Sequence, residues 1–390
     1  MTNLMHLQCS SCGKTYDYHR TYNACTECGR PLLARYDLAS LRDSPREDVI
    51  GTQPSLWRYG ALLPAQGEAL SLGEGFTPLI HATRLGRELG FSQLYIKDES
   101  GNPTGSFKAR GAAVAITRAQ ELGIKRVVVP SAGNAAGATA AYAAKAGMQV
   151  RVFMPADVPT PFRLECRAYG AEVTLVEGYI TDCAKQARRV AEADGWFDIS
   201  TFKEPYRIEG KKTMGFELAE QFNTGSTQTW ELPDVIIYPT GGGIGLVGFA
   251  KAFDELEAIG WIGEARPRMI SVQAQGCAPI ARALRDGKQH AEVWEDAQTI
   301  APGLRAPSTI GDFLILQVLR DTHGTAVTVS DQELLQGQDQ IARMEGIYAC
   351  PEGGATLAAV RKLGKEGLVS RNERIVLCNT ASGLKYPEVK

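Results

Sequence analysis

From Phe76 onwards, short apolar runs alternate with longer segments in which apolar residues recur at helical spacing. The runs rich in valine and isoleucine predict buried strands at Leu94–Ile96, Arg126–Val129, Gln149–Met154, Glu172–Val176, Val235–Tyr238, Met269–Ala274 and Ile375–Cys378. The longer segments predict helices at Phe107–Leu122, Asn134–Ala146, Pro161–Tyr169, Thr181–Ala193 and Gly245–Ala258. This alternation predicts an α/β fold whose parallel sheets are covered by helices on both faces.

Residues 1–36 differ from the rest because they carry two closely spaced pairs of cysteines, Cys9 with Cys12 and Cys25 with Cys28. A glycine follows each pair, which suits the tight turn that points two thiolates at one ion. The spacing predicts a zinc ribbon with a structural role, since four thiolates leave no coordination position open. A ribbon without metal, or a disulfide formed on oxidation, is the alternative. Residues 37–75 are predicted to be a connector in which Leu56–Tyr59 would dock a short helix.

Composition excludes several classes of protein. Apolar residues make up 44% of the chain and charged residues 22%, which is typical of a globular protein rather than a disordered one. The net charge of -2 and the lack of a long basic run argue against a nucleic-acid partner. No apolar run has the roughly 18 residues of a membrane span, and residues 1–10 do not resemble a secretory leader. We therefore expect a cytoplasmic protein whose five scattered cysteines stay reduced.

One lysine lies where a turn-rich loop opens a predicted helix. Lys108 ends the run Asn102–Lys108, and its amine would feel the positive end of the helix dipole, which favours the neutral, nucleophilic form. A lone lysine at such a place is more often a solvated surface charge. The sequence around it decides between these interpretations only together with the other loops.

Three further loops follow predicted strands, where ligands bind in open parallel sheets. The loop Ser131–Gly137 offers backbone N–H groups to a carboxylate, although Asn134 would serve equally as a plain N-cap. The loop Tyr238–Gly245 has consecutive glycines that let amides approach a phosphate, or that simply form a tight turn. It matches neither the dinucleotide pattern nor a Walker loop. The last loop, Asn379–Lys385, offers the hydroxyl of Thr380.

An amine, an asparagine, a phosphate cradle and a late hydroxyl together suit pyridoxal phosphate. The segments N-P-T-G-S-F-K, S-x-G-N, G-G-G-x-G and T-x-x-G-L-K follow one another over about residues 70–390. In this the chain resembles the fold-type II pyridoxal-phosphate enzymes of the tryptophan-synthase-β family, and among them the threonine synthases with an N-terminal zinc ribbon. The segment Glu204–Thr213 shares this resemblance. It implies two open, mostly parallel sheets in residues 76–390, with a smaller mobile subdomain at about 110–200.

The resemblance also implies residue roles toward the cofactor. Lys108 would bond to the cofactor aldehyde and then shuttle protons, and Phe107 would pack near the ring. Asn134 would bond the 3-oxygen of the ring, and Thr380 would face the ring nitrogen. The phosphate of the cofactor would be held by the loop residues Gly241, Gly242, Gly243, Ile244 and Gly245.

The substrate would lie on a second set of residues. Its carboxylate would be held by Ser131, Ala132, Gly133, Asn134 and Ala135. A phosphate on the substrate needs cations, for which the candidates are Arg163, Arg207, Lys211 and Lys212. The alternative for each of these four is a solvated face.

The activity implied is the conversion of O-phosphohomoserine and water into threonine and phosphate by a homodimeric lyase. Ala109 and Ala135 depart from the family pattern, in which aspartate and threonine are frequent at these positions. Three alternatives stay open: a threonine or serine dehydratase, a β-replacement enzyme such as cysteate synthase acting on O-phosphoserine, and an interaction protein whose cofactor domain is inactive.

Overall fold

A computed structural model of the chain describes residues 2–42, 44–223 and 229–389. The strands are β1 Leu4–Cys9, β2 Thr15–Tyr16, β3 Leu32–Tyr36, β4 Leu79–His81, β5 Leu94–Asp98, β6 Arg126–Pro130, β7 Gln149–Pro155, β8 Glu172–Val176, β9 Phe197–Asp198, β10 Val235–Pro239, β11 Arg268–Ala274, β12 Thr325–Val329 and β13 Ile375–Asn379. The helices are α1 Arg46–Val49, α2 Thr83–Leu89, α3 Lys108–Glu121, α4 Asn134–Lys145, α5 Thr160–Ala168, α6 Ile180–Asp194, α7 Arg207–Phe222, α8 Ile244–Ala258, α9 Pro279–Arg285, α10 Asp312–Asp321, α11 Asp331–Glu345 and α12 Pro351–Lys365.

The chain divides into two compact units. The first unit holds the residues up to Phe76 together with Asn102–Met214, and the second holds Thr77–Gly101 together with the residues from Gly215 onwards. Helix α7 begins in the first unit and ends in the second. Each of the two contains at least one sheet of its own.

The first unit contains two sheets. The N-terminal one has the strand order β2-β1-β3 and is antiparallel. The other has the order β8-β7-β6-β9 and is parallel throughout. Its core is formed where α6 packs on β6 and β7, with Val128, Phe153 and Trp196 among the buried side chains. The connector contains a 3-10 helix at Leu56–Leu62.

The second unit is built on one six-stranded sheet with the order β12-β11-β10-β13-β5-β4. All neighbours are parallel except β4, which runs antiparallel to β5 at one edge. Every residue of β10 and β13 is buried, which explains why their sequences are continuous apolar runs rather than alternating ones. The fold class predicted from the sequence, open and mostly parallel sheets with an N-terminal ribbon, is confirmed.

Candidate active site

Lys108 is the first residue of α3, and its neighbourhood is tightly defined. Its Nζ lies 4.4 Å from the centroid of the Phe107 ring, and Phe107 itself is buried. The Ser106 side chain is fully buried, and its hydroxyl makes no hydrogen bond to any residue that the structure describes. A buried polar group without a partner needs an explanation, and a bound ligand is one. The sequence analysis did not single out Ser106.

A second lysine reaches the same ring. The Lys211 ammonium donates a hydrogen bond to the Phe107 carbonyl and lies 4.0 Å from the centroid of the Phe107 ring. Lys211 is completely buried. Phe107 is thus in contact with the ammonium groups of both lysines, which fixes the residue that precedes Lys108.

Two glycines let α3 and α7 meet backbone to backbone. A Cβ at Gly210 would lie 2.0 Å from the Arg110 carbonyl oxygen, and a Cβ at Gly111 would lie 2.8 Å from the Arg207 carbonyl oxygen. Neither approach is possible for a residue with a side chain unless the backbone shifts. The start of α3, which carries Lys108, is therefore seated directly on α7.

The loop Ser131–Ala135 connects β6 to α4 in the same unit. The Ser131 hydroxyl accepts hydrogen bonds from the N–H groups of Gly133 at 3.2 Å and Ala136 at 3.1 Å, so it holds the loop in shape. Gly133 occupies the N-cap position of α4, and Asn134 is the first helical residue. The plain N-cap alternative for Asn134 is therefore wrong. Helix α4 packs against α3 and against the turn Pro103–Gly105 that precedes Lys108.

The four candidate cations differ in their surroundings. Arg163, on α5, is half-buried and donates to the Thr160 hydroxyl at 2.8 Å. Arg207, Lys211 and Lys212 are all buried, so a solvated face is the wrong interpretation for these three. Charged side chains are found inside when they have partners, and these have them. The Arg207 guanidinium, for example, donates to the Ile199 carbonyl at 2.7 Å.

Lys212 links the N-terminal sheet to α7. Its ammonium pairs with the Glu209 carboxylate at 2.6 Å and lies 4.0 Å from the centroid of the Tyr36 ring. The Tyr36 hydroxyl donates to the same carboxylate at 2.8 Å. Tyr36 ends β3, so a fully buried ion pair joins the cysteine-bearing sheet to the helix on which Lys108 is seated.

The glycine loop lies in the second unit between β10 and α8. A Cβ at Gly241 would lie 2.1 Å from the Gly303 carbonyl oxygen, one at Gly243 2.0 Å from Ile315, and one at Gly245 2.0 Å from the Tyr238 hydroxyl. Gly243 also has a φ of +76°, which favours glycine. Gly241 is thus required by backbone packed behind the loop and Gly243 by its φ, while a Cβ at Gly245 would collide with the buried Tyr238 side chain.

The first turn of α8 offers its amides to an anion. In the described part of the chain, no side chain caps this turn and no acidic residue lies within it. The first N–H groups of a helix have no partner inside the helix and carry partial positive charge. A phosphate at this position would satisfy them.

Thr380 lies in the second unit, directly after β13, and is buried. Its hydroxyl oxygen is 3.7 Å from the Cys350 sulfur, and burial raises the pKa of the Cys350 thiol, which keeps it neutral. Cys350 caps α12 by accepting the Gly353 N–H at 3.3 Å. The sequence analysis treated Cys350 only as one of the scattered cysteines, although a proline at Pro351 marks the start of a helix there.

Glu352 connects this helix to the glycine loop. Its Oε1 accepts the Gly303 N–H at 2.8 Å, and Gly303 is the residue against which Gly241 packs. Glu352 is buried, and its Oε2 has no hydrogen-bond partner among the described residues. A buried carboxylate therefore holds the backbone that supports the loop. No local signal in the sequence reveals this bond, because 49 positions separate the two residues.

The four N-terminal cysteines converge. Their sulfur atoms all lie within 4.8 Å of one another, with separations of 3.4 Å for Cys9–Cys28 and 3.6 Å for Cys12–Cys25. A tetrahedron of thiolates about 2.3 Å from zinc has edges of about 3.8 Å, so the set fits the ion. Burial alone would raise the pKa of Cys25, but hydrogen bonds from the Tyr16 hydroxyl and from backbone N–H groups lower it to about 6. This favours the thiolate that a metal requires at Cys25, whereas, despite a backbone hydrogen bond, burial and the neighbouring thiols raise the pKa of Cys28 to about 12, so that thiol has to lose its proton as the ion binds.

The predicted site residues thus fall into two sets. Lys108, Phe107, Ser131–Ala135, Arg163 and the four cysteines belong to the first unit, and Gly241–Gly245 and Thr380 belong to the second. Among the described helices, none has the length and apolar character that crossing a bilayer requires.

Comparison with known proteins identifies the family. Residues 70–381 match the model of the family described as pyridoxal-phosphate dependent enzyme. A threonine synthase of Methanosarcina acetivorans is 34% identical over 99% of this chain and 93% of its own length. A threonine synthase of Methanocaldococcus jannaschii is 36% identical over 98% of this chain and 93% of its own.

Solved structures agree on the fold. Maize serine racemase is 26% identical with a TM-score of 0.67, and the match covers 79% of this chain and 88% of the racemase. A threonine deaminase from T.th. is 29% identical with a TM-score of 0.65, and the match covers 78% of this chain and 92% of the deaminase. With a glycine loop, a lysine at a helix start and relatives that match almost end to end, this chain belongs to the pyridoxal-phosphate dependent enzymes, in the group whose curated members include the threonine synthases.

Proposed function

We propose that the chain converts O-phosphohomoserine and water into threonine and inorganic phosphate with pyridoxal phosphate as cofactor. The observation that carries the proposal is the extent of the match. Relatives named threonine synthase align with 98–99% of this chain at 34–36% identity. The deaminase and the racemase align with only 78–79% at 26–29% identity. A dehydratase is therefore the less supported interpretation.

The residues present fit the cofactor. In the second unit, the glycine loop is fixed from behind and the uncapped first turn of α8 suits a phosphate dianion. In the first unit, a half-buried lysine lies at a helix start beside the buried, unbonded hydroxyl of Ser106. We assign the phosphate to Gly241–Gly245, the aldehyde to Lys108, the 3-oxygen to Asn134 and the ring nitrogen to Thr380. When bound, pyridoxal phosphate supplies a sink for the electrons left behind when the substrate loses its Cα proton.

A neutral partner at the ring nitrogen sets the character of this sink. Thr380 offers a hydroxyl, and the thiol of Cys350, 3.7 Å away, is also neutral. A carboxylate at this place would keep the nitrogen protonated, and a hydroxyl does not. The weaker sink that results suits a reaction in which the negative charge is relieved quickly by loss of a leaving group, as phosphate loss from Cγ requires.

Lys108 supplies the proton transfers in this proposal. Its Nζ takes the Cα proton and then a Cβ proton, and phosphate leaves from Cγ. A proton is then returned to Cγ, which becomes the methyl group, the hydroxyl of water adds at Cβ while the proton of that water goes to the released phosphate, and Nζ returns the other proton to Cα. The close packing of α3 on α7 and the Phe107–Lys211 contact hold the start of α3 in position. General acid–base catalysis needs a group that is positioned in this way. The substrate carboxylate would bind the N–H groups of the loop Ser131–Ala135, and Arg163 is the cation proposed for the substrate phosphate.

A panel of substrates tests the activity. The purified holoenzyme is given O-phosphohomoserine, O-phosphoserine or threonine, and threonine, phosphate and ammonia are measured. The proposal predicts threonine and phosphate in equal amounts from O-phosphohomoserine alone. Ammonia from threonine would instead indicate a dehydratase, and phosphate from O-phosphoserine a β-replacement enzyme.

The proposal extends to organisation. We propose a homodimer in the cytoplasm, in which the part at about residues 110–200 moves to close over the substrate. The five cysteines outside the proposed metal site are buried and form no disulfide, which is in keeping with a reducing compartment. Light scattering coupled to gel filtration tests the dimer, and hydrogen exchange of the holoenzyme with and without a phosphonate substrate mimic tests the closure.

A further inference from the structure

A cavity of about 890 Å³ lies at the edge of the six-stranded sheet in the second unit. It is bounded by α9, by the C-terminal end of α10 and by the edge strand β12. Its volume is within the range of about 300–1,000 Å³ that ligand sites have. None of the residues assigned above to cofactor, substrate or metal lines it.

The cavity is positively charged. Its lining includes Arg282, Arg285, Arg320 and His323, and the described lining residues include neither an aspartate nor a glutamate. Three guanidinium groups around one cavity repel each other unless an anion is present. Two carboxylates act on this set from outside the lining. Asp286 accepts from Arg285 Nε at 3.0 Å, and Glu292, which pairs with Lys288, also interacts with the charge of Arg282.

Two of the arginines are held in place by neutral groups. Arg282 donates through Nη2 to the carbonyls of Glu292 and Val293 at 3.1 Å each, and its guanidinium stacks 4.7 Å from the centroid of the Trp294 ring. Arg320 donates to the Gln289 side-chain oxygen at 3.1 Å and to a backbone carbonyl. Carbonyl oxygens orient a guanidinium without neutralising its charge.

These bonds leave further donors for a ligand. A guanidinium carries five N–H donors, and the bonds described use only part of each set. For Arg282 they occupy Nη2 alone, and for Arg285 they occupy Nε alone. Oriented forks of this kind match the paired oxygens of a phosphate or carboxylate. The indole of Trp294 adds apolar surface beside them.

We propose that this cavity binds a small phosphorylated anion with two or three negative charges and a ring-bearing organic part. The positive charge of the three arginines requires a negatively charged ligand. The apolar wall and the volume leave room for an organic part in addition to a phosphate. The inference uses only the second unit's own residues and does not depend on the reaction proposed above.

Calorimetric titration of the holoenzyme tests the site, with sodium pyrophosphate, AMP and ADP as probes in separate arms. We expect saturable binding of AMP or ADP at one site per chain, tighter than that of pyrophosphate. Equal affinity for pyrophosphate and ADP would overturn the ring-bearing part of the proposal. Absence of saturable binding for all three probes would overturn the site.

Two substitutions separate this cavity from the phosphate site of the cofactor. Arg285→Gln removes a side chain that is 75% exposed and bonds only its neighbour, so it should fold normally. Arg320→Gln is the second variant, and Arg343→Gln, at an arginine 81% exposed on α11, is the control. Each cavity variant should weaken binding by about tenfold or more, because hydrogen bonds to charged groups contribute that much, and the control should not. Binding that persists unchanged in both cavity variants would place the anion elsewhere and refute the inference.

Discussion

Adding one methyl group to the glycine loop should weaken cofactor binding. In Gly241→Ala the new Cβ would lie 2.1 Å from the Gly303 carbonyl oxygen, whereas real Cβ atoms hardly ever come within 3.0 Å of another heavy atom. Either the loop or the Gly303 carbonyl must therefore move by about 0.9 Å, which is the difference between these two distances. The neighbour resists, because Glu352 holds the Gly303 N–H at 2.8 Å. We therefore expect the loop itself to shift.

The size of the effect follows from the packing. Inserting a carbon into a well-packed site costs about 1–3 kcal/mol. If the strain falls on the loop proposed to hold the phosphate, this corresponds to a cofactor dissociation constant raised roughly fivefold to hundredfold. A loop shift of this size also misaligns amides whose hydrogen bonds to a phosphate are directional.

Titration of the cofactor-free protein with pyridoxal phosphate, followed by visible absorbance, measures this constant. Gly263→Ala is the matched control, since a Cβ there meets nothing within 4 Å and Gly263 has no left-handed φ. Far-ultraviolet circular dichroism checks that both variants fold. If Gly241→Ala binds the cofactor as tightly as the control does, the loop does not hold the phosphate and the assignment is wrong.

Other parts of the molecule make further predictions. Elemental analysis should find one zinc per chain in the wild type and none in Cys25→Ser, and the unfolding midpoint of the variant should be several degrees lower. Purified wild-type protein without metal would contradict the site. Glu209→Gln leaves the buried Lys212 ammonium without its carboxylate and should lower the free energy of unfolding, measured in urea, by about 3–5 kcal/mol. The exposed control Glu27→Gln should lower it by about 0–1 kcal/mol, and equal losses in the two variants would refute this prediction. Burial raises the pKa of Glu204 from 4.5 to about 7, so the folded state holds a proton that the unfolded chain has lost. This group's contribution to stability should therefore fall as the pH rises from about 4.5 to 7, and Glu204→Gln, measured by thermal unfolding at both ends of that range, should reduce the fall.

The central strands could be predicted from the sequence because their amino-acid composition reflects their burial. Strands β10 and β13 are buried on both faces and appear as continuous apolar runs, which are typical of central strands in a parallel sheet. The edge strand β12 was not predicted, because its residues Thr325–Thr328 are only half-buried and carry a weaker apolar signal. Edge position is a property of the sheet and leaves no such run in the strand.

Helix α7 shows the limit of reasoning from charge. Its first turns contain Glu209, Lys211 and Lys212, which in a sequence suggest a solvated face, yet all three side chains are fully buried. They can be buried because partners far along the chain, such as Tyr36, complete their bonding. Periodicity within one helix holds no information about such partners.

The sequence indicated the loops of the candidate site but not the residues that support those loops. Glycine, asparagine and lysine in turn-rich loops can be singled out from local chemistry alone. The structure places Lys108, Asn134 and Gly243 at the starts of helices. Ser106 and Glu352 were missed, since an unbonded buried oxygen is visible only once the surroundings are packed. The residues behind a binding loop therefore have to be read from the structure.

The central claim is that Lys108 bonds the cofactor. Reducing the holoenzyme with sodium borohydride fixes the pyridoxyl group to the amine that carries it, and peptide mass mapping then locates that amine. We predict the label on the peptide that contains Lys108, with none on the peptide of Lys211, the other ammonium in contact with Phe107. A label on Lys211, or a holoenzyme in which no lysine is labelled, would contradict the account.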